Sequence, residues 1–80
     1  MLEKEDAINI ANEFFQKKNG TYITRLLDAQ THWICYGGPA GRIVGKMGIK
    51  IEKMTGKIDK FILPNEENFA LLDKAVKIEI

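Results

Sequence analysis

The most regular pattern of apolar positions lies near the start of the chain. Placed at 100° per residue, the apolar side chains of residues 3–19 fall within an arc of about 160°; they are Ala7, Ile8, Ile10, Ala11, Phe14 and Phe15. Acidic residues come early in this stretch and lysines come late, as the helix dipole favours. Asn19 and Gly20 both tolerate the left-handed conformation that ends helices. The pattern predicts an amphipathic helix over residues 3–19.

The next two segments differ in how clearly their pattern indicates a helix or a strand. Residues 21–30, TYITRLLDAQ, combine apolar residues at helical spacing with a strand-like start, and we expect a short helical turn there. Residues 31–36, THWICY, alternate as a strand does. This alternation puts Trp33 and Cys35 on one face and leaves the other face to His32, Ile34 and Tyr36.

A hairpin is predicted in the middle of the chain. Residues 37–41, GGPAG, form a loop, and residues 42–53 form a strand that glycines allow to bend. The turn falls at residues 54–56, Met-Thr-Gly, where Gly56 suits a positive φ. The return strand covers residues 57–63. Its apolar residues lie on both faces towards its end, with Ile58 and Ile62 on one face and Phe61 and Leu63 on the other, or else the strand carries a bulge.

A second helix follows Pro64. Asn65 is a good N-cap residue, and two glutamates occupy the first turn after it. The predicted apolar stripe consists of Phe69, Leu72, Ala75 and Val76, with Leu71 beside it. Ile78 and Ile80 add a short terminal strand.

Together these elements predict one α+β domain over residues 1–80. Its N-terminal helix packs on a three-stranded, or at most four-stranded, antiparallel meander sheet, and a short C-terminal helix follows. A single helix on such a sheet leaves the other sheet face partly exposed. That face can be solvated, dimerise or hold a partner.

Composition narrows the classes of function. The net charge is +1, so the whole chain has no strong attraction to nucleic acid or to an anionic membrane. No apolar run approaches the ~18–20 residues of a membrane span, and the N-terminus lacks the apolar core of a signal peptide. The single cysteine, Cys35, cannot form an internal disulfide. We therefore expect a cytoplasmic protein that binds neither nucleic acid nor membrane.

No combination of residues points to catalysis, a metal or a cofactor. Cys35 and the only histidine, His32, are three residues apart on one strand and so face opposite ways. One histidine and one cysteine cannot supply a tetrahedral metal site. The stretch GRIVGKM lacks the first glycine and the final Ser or Thr of a phosphate-binding loop. Glu52 and Asp59 can approach each other across the hairpin, but the lysines around them favour exposed ion pairs.

The hairpin carries a local excess of positive charge. Two acids accompany six basic residues, which are Arg42, Lys46, Lys50, Lys53, Lys57 and Lys60. No aromatic residue lies among them, although nucleic-acid sites usually stack bases on aromatic rings. Lysines on a hairpin also discourage edge pairing. An acidic protein partner fits these charges better than nucleic acid does, with Tyr36 as an aromatic anchor.

Two stretches resemble a known class of small bacterial domains. They are the strand Trp33-Ile34-Cys35-Tyr36 and the hairpin of residues 49–58, IKIEKMTGKI, which follow the helix at residues 7–18. The stretches are similar to PepSY-like domains and to short cystatin-like or nuclear-transport-factor-like immunity proteins. The resemblance covers residues 7–18 and 33–58. It implies a cystatin-like fold and the inhibition of a peptidase or a toxin, and it implies no catalytic residues.

These observations lead to one expected function and two alternatives. We expect a non-enzymatic immunity or inhibitor module, without cofactor, that binds a toxin or peptidase through an exposed sheet face and forms a homodimer. One alternative is a small-molecule-binding or degenerate enzyme domain with a pocket near Tyr36 and Cys35. The other is a structural subunit of a homo-oligomer.

Overall fold

A computed structural model describes residues 1–20, 22–37, 48–61 and 65–79 of the chain, except for the side chains of residues 18 and 19. The fold of these residues is α+β, as the sequence predicts. In chain order the elements are α1 (Lys4–Asn19), β1 (Ile23–Asp28), β2 (His32–Gly37), β3 (Ile49–Glu52), β4 (Ile58–Lys60), α2 (Glu66–Lys74) and β5 (Val76–Ile78).

Helix α1 confirms the first prediction closely. The backbone N–H of Glu3 donates to the carboxylate of Asp6 over 3.1 Å, which satisfies a donor before the first turn. Gly20 ends the helix with a φ of 66°, and its N–H donates to the carbonyl of Gln16. Both ends are therefore determined locally by the residues that the sequence pattern singled out.

The sheet has more strands than predicted. Within the described residues it contains five strands in the order β4-β3-β2-β1-β5, and every neighbouring pair is antiparallel. The expectation of three or four strands was wrong because residues 23–28 form a strand instead of a helical turn. This strand, β1, is bonded to β2 on one side and to β5 on the other. Pairing on both sides outweighs the helical spacing of its leucines.

Strand β2 occupies the centre of the sheet, and its side chains alternate as predicted. Trp33 and Cys35 point towards α1, on what we call the first face. Ile34 and Tyr36 point to the opposite side, the second face. The strand is thus apolar towards both sides, which is typical of a strand covered on both faces.

The main core lies between α1 and the first face. Its fully or nearly fully buried members are Ala7, Ala11, Phe15, Leu26, Trp33, Cys35, Ile49 and Ile51. The two alanines let the helix approach the sheet closely, and the ring of Phe15 lies directly over Gly37. A Cβ added at Gly37 would lie 2.6 Å from that ring, so only glycine fits below the helix there.

Helix α2 covers part of the second face. Buried Ala29, Ile34 and Phe61 form a second cluster there, with Leu71 and Leu72 of α2 packed against it. The predicted apolar stripe of this helix was wrong at two positions. Phe69 is 51% exposed, and Val76 lies beyond the helix in β5 and is 62% exposed, whereas Asn68 is buried. Asn65 does cap the helix as predicted, by accepting from the N–H of Asn68.

The hairpin between β3 and β4 closes at the predicted turn. Gly56 has a φ of 76°, and the N–H of Glu52 donates to the carbonyl of Lys57 across the turn. Ile58 and Phe61 lie on opposite faces as predicted. Residues 38–47, 62–64 and 80 lie outside the described residues, and so do the predictions made for the GGPAG loop, the start of the third strand, Ile62, Leu63 and Ile80.

Gly37→Ala tests the close contact between α1 and the sheet. We expect the substitution to lower the free energy of unfolding by about 1–3 kcal/mol, because the new methyl group overlaps the Phe15 ring. Urea unfolding followed by circular dichroism measures the change. Adding Phe15→Leu should relieve the overlap, so the double variant should lose less stability than the sum of the single variants. Strict additivity would contradict the contact.

Candidate functional site

A small cleft of about 120 Å³ lies on the second face, beside the cluster covered by α2. Five side chains line it, all polar or charged: His32, Lys50, Glu52, Lys57 and Asp59. We call this group the charged cleft. It contains two ammonium groups, two carboxylates and one imidazole.

Strand register explains why these side chains meet. His32 lies opposite Glu52 across β2 and β3, and Lys50 lies opposite Asp59 across β3 and β4. Directly opposed residues share a face in an antiparallel sheet. The apolar residues next to them in sequence turn to the first face instead. The period-two alternation of three strands therefore builds the cleft.

The surroundings of His32 in the cleft favour the neutral form of its imidazole. Its Nδ1 lies 2.8 Å from the hydroxyl oxygen of Thr31. Burial lowers the pKa of His32 from its ordinary value of 6.5, and the charge of Lys50 lowers it further. Nearby carboxylates, including those of Glu52 and Glu67, oppose this shift without cancelling it. The cleft therefore places an imidazole with a lowered pKa between charged groups.

Lys50 connects the cleft to α2. Its ammonium donates to the side-chain oxygen of Asn68 over 2.9 Å. Asn68 is only 3% exposed, so this bond lies between the sheet and the first turn of the helix. The contact holds the lysine stem in one position along one side of the cleft.

The remaining lysines of the hairpin are placed differently. Lys53 is 8% exposed, and its ammonium lies 2.6 Å from the carboxylate of Asp28 and 4.4 Å from the centre of the Trp33 ring. Lys60 pairs with Ile49, whose side chain belongs to the first face. Of the predicted basic contact residues, the structure brings Lys50 and Lys57 together and places Lys53 and Lys60 elsewhere. Arg42 and Lys46 lie outside the described residues.

Tyr36, the predicted anchor, lies on the second face within the second cluster. Its ring packs edge-on against Phe61 with centroids 6.2 Å apart, and the Arg25 guanidinium lies 6.0 Å from its centre. Burial raises the pKa of Tyr36. Cys35 points to the first face and is fully buried. Tyr36 and Cys35 therefore point to opposite faces of the sheet, and the loop that was predicted to complete a pocket beside them lies outside the described residues.

The described residues offer little for bond-making chemistry. His32 and Cys35 point to opposite faces, so the imidazole cannot activate the thiol. Among residues that the structure describes, no group of three or more His, Cys, Asp or Glu is placed to hold a metal ion. The carboxylates of the cleft lie beside lysines, an arrangement that suits ion pairing.

Sequence reasoning considered His32 only as a partner for Cys35 and did not assign it to this surface. The signal was present in the alternation, since His32 shares a face with Ile34 and Tyr36 and lies two residues before the first of them. What the sequence could not supply is the register that puts Glu52 opposite the histidine.

Comparison of the chain with protein-family models, with curated proteins and with solved structures found no match. Neither of the described helices is long and apolar enough to cross a membrane. The charged cleft is therefore interpreted from its own geometry.

The thiol of Cys35 should be unreactive in the folded protein. Burial raises its pKa to about 12, so little thiolate forms at pH 8. We expect labelling by iodoacetamide to be at least about 100-fold slower in buffer than in urea, because it must wait for unfolding. Mass spectrometry measures both rates, and Ala70→Cys supplies an exposed thiol as a standard. Equal labelling of the two thiols in buffer would contradict the buried position.

Asp28→Asn should have an effect on stability that depends on pH. The hydrogen bond from Lys53 holds the pKa of Asp28 below its ordinary value of 3.8. Such a group stabilises the fold above its unfolded-state pKa, and this contribution is lost as the pH falls through its lower folded-state pKa. The free energy of unfolding of the variant should therefore differ from that of the wild type more at pH 7 than at pH 2.5.

Urea unfolding at both pH values measures this difference. Glu13→Gln is the matched control, because it breaks the exposed pair of Glu13 with Lys17 and should change stability little. A difference between Asp28→Asn and wild type that is the same at both pH values would contradict the assignment.

Proposed function

We propose that this chain is a non-enzymatic binding domain that recognises a protein partner through the charged cleft and the hairpin surface around it. In this respect it would act as an immunity or inhibitor module does. The observation that supports the proposal best is the charged cleft itself. Its charged side chains lie together on the second face, beside the cluster that α2 covers.

Two side chains of the charged cleft are already held in place before a partner binds. Lys50 is held by Asn68, and His32 is held beside Thr31. Because these side chains are already ordered, they lose less conformational entropy when a partner binds than free lysines on a surface would lose. Lys57 and Asp59, with side chains 72% and 58% exposed, remain accessible at the rim. Ordered charges of both signs favour one partner over others and increase the rate of encounter.

The cleft balances Lys50 and Lys57 against Glu52 and Asp59, which favours a partner surface that carries charges of both signs. The resemblance of residues 33–58 to PepSY-like and immunity-protein domains suggests a bacterial toxin or a peptidase as the partner class. We place this function in the cytoplasm, where a buried, reduced Cys35 is compatible with the thiol-reducing environment.

Lys57→Glu tests the proposal at an exposed position of the hairpin, and circular dichroism checks that the variant keeps its fold. The side chain is exposed, and its nearest opposite charge is Asp59 at 4.0 Å. The wild-type protein, immobilised and used below 1 μM, should capture a protein partner from extract of the source cells. The purified partner should bind Lys57→Glu at least about 10-fold more weakly, and its affinity for the wild type should fall with salt.

Lys77→Glu is the matched control. It makes the same change of charge on β5, at the opposite edge of the sheet from the hairpin, and should leave affinity for the partner unchanged. If both variants bind as the wild type does at every salt concentration, the charged cleft is not the recognition surface.

A further inference from the structure

Within the described residues, strand β4 forms one edge of the sheet, and its outer backbone groups can pair with another strand. Two hydrogen bonds set the phase of its pairing with β3: Glu52 N–H to the Lys57 carbonyl, and Phe61 N–H to the Gly48 carbonyl. In an antiparallel ladder, alternate residues bond the neighbouring strand. Residues 57, 59 and 61 therefore face β3, and the N–H and C=O groups of Ile58 and Lys60 point out of the sheet edge.

The side chains along this edge are complementary to themselves. When a second copy of β4 pairs antiparallel with Ile58 opposite Ile58, Lys57 of each copy lies opposite Asp59 of the other. The outward backbone groups of the two Ile58 residues then form the central hydrogen-bonded pair. One symmetric register thus satisfies both the phase of the backbone and the pairing of opposite charges.

An apolar groove lies on the first face beside this edge and offers further contact area to a second copy. Ile58, Phe14 and Ile10 line it together with the charged pair Glu13 and Lys17. Ile58 is 36% exposed there. In the symmetric register, the two Ile58 side chains lie on the same face and meet between the two grooves, where each covers apolar surface of the other copy.

We propose that the protein self-associates by antiparallel pairing of β4 with β4 of a second copy, in the register centred on Ile58. The two sheets then form one continuous ten-stranded sheet, with both charged clefts on the same side. This proposal does not rest on the partner binding proposed above, since it is argued from the outer edge of β4, although Lys57 and Asp59 belong both to this edge and to the cleft.

The dimer should be weak, because β4 offers only three strand residues to the contact. Interfaces much smaller than the ~1,200 Å² of stable complexes are transient. We expect a dissociation constant of roughly 10–500 μM, so sedimentation equilibrium should cover roughly 5 μM to 1 mM protein. The partner capture described above is done below 1 μM, where the protein is monomeric, so failure of one proposal does not obscure the other.

Exchange of the two charges tests the register. Lys57→Glu places like charges opposite each other twice in the dimer and should weaken it by about 10-fold or more. The double variant Lys57→Glu/Asp59→Lys restores two opposite-charge pairs between the copies and should strengthen the dimer at least about 3-fold relative to Lys57→Glu alone. Lys77→Glu, on the other edge strand, should have no effect.

Three results would overturn the proposal. The first is a wild-type protein that remains monomeric up to 1 mM. The second is a dimer that Lys57→Glu leaves unchanged or that the charge exchange fails to strengthen relative to Lys57→Glu alone. The third is a dimer that Lys77→Glu dissociates, which would place the contact at β5. Circular dichroism of each variant checks that its fold is retained.

Discussion

The alternation of side chains along β2 is the constraint on which the rest of the structure depends. This strand lies at the centre of the sheet, and both of its faces are covered, by α1 on one side and by the cluster around Phe61 on the other. A shift of register by one residue would move Trp33 and Cys35 away from α1 to the second face and would bring His32, Ile34 and Tyr36 under the helix instead. The same constraint puts His32 on the second face, so the burial of the core also determines the position of the charged cleft.

Local patterns were sufficient for elements that depend on their own residues. The stop of α1 at Gly20, the turn at Gly56 and the cap at Asn65 all follow from conformations or hydrogen bonds within a few positions. Strand β1 could not be predicted in this way, because the strand that pairs with its outer side, β5, lies some fifty residues later. Its two leucines suit a helix as well as a strand until both neighbours are known. The side of α2 that faces the sheet likewise involves a residue distant in sequence. Lys50 of β3 donates a hydrogen bond to buried Asn68, and Phe69 is left exposed to solvent.

The sequence predicted some of the charged residues of the candidate site but not how they are arranged. Counting lysines along the hairpin predicted a basic surface, and two of them, Lys50 and Lys57, do line the cleft. Lys53 follows the end of β3, where alternation stops, and it turns to Asp28 and the Trp33 ring instead. A carboxylate twenty-five positions earlier in the chain thus removes one lysine from the exposed charge. The count of charges could not show this, because it depends on how β1 lies beside β2.

The central functional claim is that the charged half of the second face is where a partner binds. Amide hydrogen exchange of the protein, free and in complex with the captured partner, tests this most directly. The account predicts that exchange slows in the hairpin of residues 49–60 and at His32, while α1 keeps the same rates. Slower exchange confined to α1, with the hairpin unchanged, would contradict the account.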